Sequence, residues 1–513
     1  MSDTRRPSRT GKAMIAGKVA FAVVSAAALI GAMAVAGVCR PWSSLVDDAG
    51  AGASASSFSV STEQIEQYCA GRMALADMNT YGDSEFQTSA GDIASSARYA
   101  AFGSVYLAQV EPNVQDADVT PEQLDEAPGD DGVMTLDGVV DDGPRLFDAG
   151  LTESEDGTGA SGSTASWATE GDLRGLSAAS CVVPSLNQSF LLPATRSGVT
   201  QELIVANSSD IATAVTLQVW GSSDGEPVSL TTGNTLTVEA HGENSVDLAA
   251  GASGHDGLFV TLDSDDTPVS AVVRIVAMDG LDPAGSDYAL PIGAAERRLT
   301  LPSVNAGDEV RLLVRPERDS DVTVSWITTR GTTQAVEQSV EAGKVTSLDL
   351  GEAPDRVVGV RVDSEAPAHA SAYVRRTGDG GQSDFMMVNP GVPAASAAVV
   401  LPSGIDGDLT LHNTGEQSAE ATIHAYAADG EHLADRDMTL DAGESARVPM
   451  DDLDGEAAIA VLDDPQQTIV WGARVTNGDV EDAGLAGVAN LPSTALTPLR
   501  ATVLSESSRA VVR

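Results

Sequence analysis

Three stretches of this sequence carry the same punctuation about 100 residues apart, and a period of that length selects few folds. "LLP" at Leu191, "LTLP" at Leu299 and "VVLP" at Val399 open the stretches. Each continues into an alternating strand, starting at Val215, Val322 and Ala421, and reaches a turn glycine at Gly242, Gly343 or Gly443. The next strand ends in Asp263, Asp363 or Asp463, and the one after it in Arg274, Arg375 or Arg474. Asp287-Tyr288 and Asp384-Phe385 form a last anchor, with Asp482 as its weaker third member. Alternation at Val215, Leu217 and Val219 gives one buried and one wet face, as packed sheets require. About seven strands in about 100 residues predict an all-β ectodomain of tandem immunoglobulin- or fibronectin-like β-sandwiches. The units are expected at 181–298, 299–398 and 399–513. A propeller blade takes about 40 to 50 residues, so two blades per repeat make a six-bladed β-propeller the alternative. The repeated Asp reads as a shared turn, and the repeated Arg as a cross-strand partner for an acid.

Upstream of the repeats the chain changes character twice. Residues 1–18 are a basic tail with Arg5, Arg6, Arg9, Lys12 and Lys18 against Asp3 alone. Val19–Cys39 is uncharged and apolar over 21 residues, long enough at about 1.5 Å per residue to cross a hydrocarbon core of about 30 Å. Positive charge before the span orients it, so a transmembrane signal-anchor with the rest of the chain outside the cytoplasm is expected. Secretion after cleavage near Ala34-Val35-Ala36 is the alternative. A spacer at 40–57 leads to a β-rich segment at 58–110, and 111–180 reads as an acidic, largely disordered loop. Glu111–Ala160 holds 15 acids and one base, Arg145, with few large apolar groups to offset the entropy of folding. Cys69 and Cys181 are the two cysteines beyond the span, and on an oxidising side they predict a disulfide. It would staple the 58–75 region to the first repeat.

The formal charge of −46 opposes nucleic-acid binding, which needs a basic footprint. No motif carries a complete reaction. Gly221-Ser222-Ser223-Asp224-Gly225 fits the G-x-S-x-G nucleophile pattern, but strands flank it where that motif needs a strand and then a helix. Gly157–Gly162 fits G-x-G-x-x-G yet follows an acidic tract, so no pyrophosphate site is expected. Leu491-Pro492-Ser493-Thr494-Ala495 resembles a sorting signal without the apolar tail, and reads as a terminal strand. The six histidines lie scattered, and His424 and His432 lack a cysteine partner for zinc, so no metal ligands and no cofactor are assigned. Asp263–Asp266 and Asp451–Asp454 miss the spaced calcium pattern and read as solvated turns. Trp220, Trp326 and Trp471 fall within strand patterns, where cores form.

Around 171–221 the text reads GDLRGLSAASCVVP, then FLLPA, then GVTQELIVANSSDIATAVTLQVWG. This resembles an uncharacterised family of secreted, membrane-anchored actinobacterial proteins, with Cys181, Pro184, Asn207, Trp220 and Gly221 at its pattern positions. "YCAGRMAL" at Tyr68 departs from the family's first Cys-Pro-Gly-Pro, with Ala70 and Arg72 in place of the prolines. The resemblance implies work at the cell envelope and supplies no catalytic residue. The expectation is a non-enzymatic, membrane-anchored extracytoplasmic protein that scaffolds or regulates envelope machinery, with another envelope protein as partner. A glycan-binding or adhesive module is the alternative, and a wall hydrolase using paired carboxylates a weaker one.

Overall fold

The computed structural model describes residues 55–61, 63–75, 88–114, 120–129, 131–231, 233–496 and 500–506, the first and last as backbone alone. The expected span at 19–39 lies outside these residues. Among the described residues no helix is long and apolar enough to cross a membrane. The chain divides into two units. In the smaller, Ala55–Ser61 pairs antiparallel with Arg500–Glu506, Phe58 opposite Val503.

The larger unit, Thr62–Leu499, is nearly all antiparallel sheet. One strand order recurs in it four times. The blocks run Gln64–Ser180, Asn187–Ala289, Glu296–Val388 and Ser396–Pro492. With strands counted one to eight inside a block, one sheet reads four-three-six-one and its companion five-two-seven-eight. In the third block strands six and seven are continuous as Val357–Thr377, which joins both sheets into one of seven strands. In the second block the two sheets enclose one core, in which Leu203, Val205 and Val273 of one meet Val215, Leu217, Val260 and Leu262 of the other. Sheets in facing pairs around shared cores overturn the six-bladed propeller, whose blades are single sheets set radially.

The segment 111–180, expected to be largely disordered, is corrected to most of the first block. It supplies the strands Met134–Gly138, Arg145–Leu151, Gly159–Ala168 and Gly175–Ser180. The core here is small-residue: Ala97, Ala101, Ala108, Ala149 and Ala160 surround Tyr99 and Phe147, whose rings meet edge to face at 5.4 Å. Val110, Leu124, Val140 and the two bridged cysteines complete this core, so it is built with few large apolar side chains. Most of the described acids fall on exposed strand positions and turns, such as Glu122 and Glu153, whereas Asp148 is half-buried.

The repeat is visible in register. Asn187, Arg298 and Ser396 stand opposite Asp263, Asp363 and Asp463, which face Thr216, Thr323 and Thr422 on the other side. Arg274, Arg375 and Arg474 stand opposite Glu202, Glu309 and Asp408. Two alignments are corrected. The position of Gly343 (φ 70°) and Gly443 (φ 72°) is taken in the second block by His241 (φ 47°), one residue before Gly242. Asp482 lies in the helix Gly478–Asp482, and Ala489 is the residue registered like Asp287 and Asp384.

The eighth strands join the blocks. Gly175–Ser180 packs on Asp282–Ala289 and on Ala489–Pro492, while Ser383–Val388 packs on both of those. Asp384, fully buried, is the node: its carboxylate accepts from the backbone N–H of Leu176 (2.8 Å), Val488 (3.1 Å), Phe385 (3.0 Å) and Ser286 (3.4 Å). All four blocks thus donate to one side chain. Asp287 repeats the device one block earlier, accepting from Met387 N at 2.8 Å. Gly175 and Gly285 permit the approach, since a Cβ on either would stand within 2.7 Å of the Asp384 side chain. At Gly175 (φ 133°) and Gly285 (φ 103°) the backbone conformation also favours glycine.

Candidate functional site

A cleft of about 560 Å³ lies between the second and third blocks. The loop after Asn187–Leu192 brings Arg196 and Ser197 to one wall, and the Met278–Gly280 turn brings Asp279. The opposite wall is strand: Glu309, Arg311 and Leu313 from Glu309–Pro316, Asp349 from Thr346–Glu352, and Tyr373 and Arg375 from Val357–Thr377. Period-two alternation puts Glu309, Arg311 and Leu313 on one face, and the antiparallel partner brings Tyr373 and Arg375 beside them.

The Arg375 guanidinium lies 3.6 Å from the Glu309 carboxylate, and Arg311 lies 4.0 Å from Asp349. All four are exposed, so each pair is worth about 0 to 1 kcal/mol and yields readily to a ligand. Arg196 is exposed and has no acidic partner within 4.0 Å among the described residues. The Tyr373 ring stacks on Phe385 at 4.7 Å, and burial pushes its phenol up to about 12, so it stays a neutral donor. Three guanidinium forks, a phenol and flanking carboxylates suit a ligand carrying anionic groups and hydroxyls. Sequence reading missed this cleft because its residues come from strands far apart in the chain. The one available signal was clustering of arginines in a chain poor in bases.

The disulfide forms: Cys69 and Cys181 are bridged, their Cα atoms 4.3 Å apart across a separation of 112 residues. It closes the first block on itself, Cys69 ending strand one and Cys181 following strand eight, rather than stapling two separate pieces. Ser223 lies in the turn after Thr213–Trp220, with its Oγ 3.4 Å from His255 Nδ1. That nitrogen also accepts from Ser222 N at 3.2 Å, and no helix follows, so the turn lacks the nucleophile elbow. Gly159–Gly162 open a buried strand. Leu491–Ala495 are two short strands, Ala489–Pro492 and Thr494–Ala495. Trp326 and Trp471 are core residues, whereas Trp220 is half-exposed with Arg315 stacked 4.8 Å above it.

The histidines are less scattered than the sequence suggested, since His424, His432 and Asp435 converge on one hairpin. A search for cysteine partners could not find them, because a hairpin unites residues by register.

The family signature residues serve structure. Asn207 Nδ2 donates to the carbonyls of Ile211 (2.8 Å), Val238 (3.3 Å) and Glu239 (3.2 Å). Asn413 does the same in the fourth block, to Gln417 (2.7 Å), Leu440 (2.9 Å) and Asp441 (3.2 Å). In the GDLRGL run, Asp172 accepts from Ser89 N at 2.9 Å and Gly175 abuts Asp384.

No curated protein matches the chain. Among solved structures, a glycosyl hydrolase family 2 member from Bacteroides cellulosilyticus is similar at 8% identity and a TM-score of 0.10, over 66% of this chain and 37% of that one. An α-L-rhamnosidase of Streptomyces avermitilis complexed with L-rhamnose is similar at 11% identity and a TM-score of 0.10, over 74% and 54%. The T13 viral particle of IBDV gives 11% identity and a TM-score of 0.11, over 82% and 79%. Likeness at that level bears on neither fold nor function, and the chain spans about a third to a half of the two enzymes. A family match covers residues 137–451, from inside the first block to inside the fourth: the chain belongs to DUF5719, a family of unknown function.

Proposed function

We propose that this is a non-enzymatic, membrane-anchored extracytoplasmic protein that scaffolds or regulates cell-envelope machinery. Its blocks are tandem immunoglobulin- or fibronectin-like sandwiches, carried outside the cytoplasm by the apolar segment Val19–Cys39. The observation that supports this reading best is the Asp384 node, where one buried carboxylate fastens backbone from all four blocks. A scaffold needs that fixed relation between its surfaces. The cleft beside Arg196, Arg311 and Arg375 is the partner-facing candidate, because its ion pairs are exposed and exchangeable. In-cell photo-crosslinking from position 196 tests the proposal. One envelope protein, captured reproducibly and lost with Arg311→Glu, is expected. No capture above background, together with no phenotype on deletion, would overturn it.

A second reading, a glycan-binding module, is favoured by Tyr373 and the mixed guanidinium and carboxylate lining of the same cleft. Saturable binding on a glycan array, abolished by Tyr373→Ala, would select it over a protein partner.

A further inference from the structure

The fourth block carries a cluster that scaffolding does not use. His424 lies in Ala419–Tyr426, and His432 and Asp435 lie in the partner strand His432–Leu440. His424 and Asp435 stand directly opposite in the ladder, so their side chains emerge on one face. Asp435 Oδ1 lies 2.6 Å from His424 Nδ1 and 2.8 Å from His432 Nε2. Asp463, from the strand on the other side of His424, sits with Oδ2 3.2 Å from His424 Nε2. The Tyr426 ring closes the group edge-on against His432 at 5.4 Å.

We propose that His424 Nδ1, His432 Nε2 and an Asp435 carboxylate oxygen form a divalent transition-metal site with a water-filled fourth position. One potential ligand atom from each of the three residues lies within 4.8 Å of the others, which small side-chain rotations bring around one ion. Two imidazoles and one carboxylate suit zinc or a neighbouring first-row ion, and disfavour calcium and magnesium, which take oxygen. Asp463 is the second, independent observation. A carboxylate on the far nitrogen of a ligating histidine fixes the tautomer that leaves the other lone pair toward the metal. Here it leaves Nδ1 facing His432 and Asp435. All three ligands project from one ladder pair, so the site is positioned by sheet rather than loop.

The site is independent of the scaffolding proposal, and its test does not depend on a partner. The full chain in detergent is dialysed against Zn²⁺, and separately titrated with Co²⁺ while its visible absorption is followed. One equivalent of zinc and a saturable cobalt spectrum are expected. His432→Ala and Asp435→Ala should each weaken binding by at least tenfold, and Asp463→Asn by about 10- to 100-fold. His255→Ala, in the second block, should leave it unchanged. The side chains replaced are partly exposed, and a cooperative melt in chelator shows that each variant is folded. Binding indifferent to His432→Ala and Asp435→Ala, or no cobalt spectrum at all, would overturn the site and leave a histidine–carboxylate ion-pair cluster.

Discussion

At the residue scale the molecule depends on a few carboxylates in unusual places. Burial pushes the Asp384 carboxyl up to about 8, against the pull of the backbone N–H groups that it accepts from. An unfolded Asp titrates near 3.9, so the folded state holds a proton that the unfolded state has lost between those values. Stability from this group is fully present below about pH 4 and is lost as pH rises through about 8. Asp384→Asn, which cannot titrate, should destabilise by about 1 to 3 kcal/mol at pH 5 and by less at pH 9. Urea unfolding of both proteins at the two pH values checks this, and an equal difference at both would contradict it. His424 shifts the other familiar group. The hydrogen bond that it donates to the Asp463 carboxylate, with help from Asp435, lifts it to about 9 in a setting that also includes His432 and Tyr426. Its contribution is present below about 6.5 and is lost as pH rises through about 9. A ring-proton NMR titration should show that midpoint in metal-free protein, falling toward 6.5 in Asp463→Asn.

At the element scale the sequence and the structure agree where large side chains mark the strands. Val215, Leu217 and Val219 announce their strand, and the hundred-residue spacing of Asp263, Asp363 and Asp463 reports true register. The second half of the first block was illegible because two of its strands, Gly159–Ala168 and Gly175–Ser180, are written largely in Ala, Gly and Ser and the rest is acidic. GASGSTASWA at Gly159–Ala168 is buried almost throughout, yet carries one large side chain, Trp167. Composition weighs apolar volume, and a core built with few large apolar side chains shows little of it. His241 misled the turn alignment for a related reason, since a non-glycine residue took the left-handed position. The cleft and the histidine cluster were hidden because register and block packing assemble them. The first block therefore leans on its disulfide. Cys181→Ser opens a loop of 112 residues, worth up to about 4.7 kcal/mol in the chain-entropy model. Because Leu176 and Ala178 of this block also enter the fourth block's core, the loss should appear as one urea transition of all the blocks moved to lower denaturant. A first block that unfolds at lower denaturant than 187–492 would contradict that coupling.

Within the larger unit, the four blocks differ from beads on a string in the way their eighth strands meet. Apolar groups cross the block boundaries as well: Leu176 and Ala178 enter the fourth block's core, and Phe385 and Met387 enter the second's. Domains joined only by linkers move independently, whereas shared cores and a common buried carboxylate make the blocks unfold together. The proposed scaffold role requires that coupling. Differential scanning calorimetry of the full chain beside Asp384→Ala tests it most directly. The expected result is one cooperative transition across residues 62–499 in the wild type, splitting into separate, lower transitions in the variant. Several independent transitions in the wild type, unchanged by Asp384→Ala, would show that the blocks stand alone.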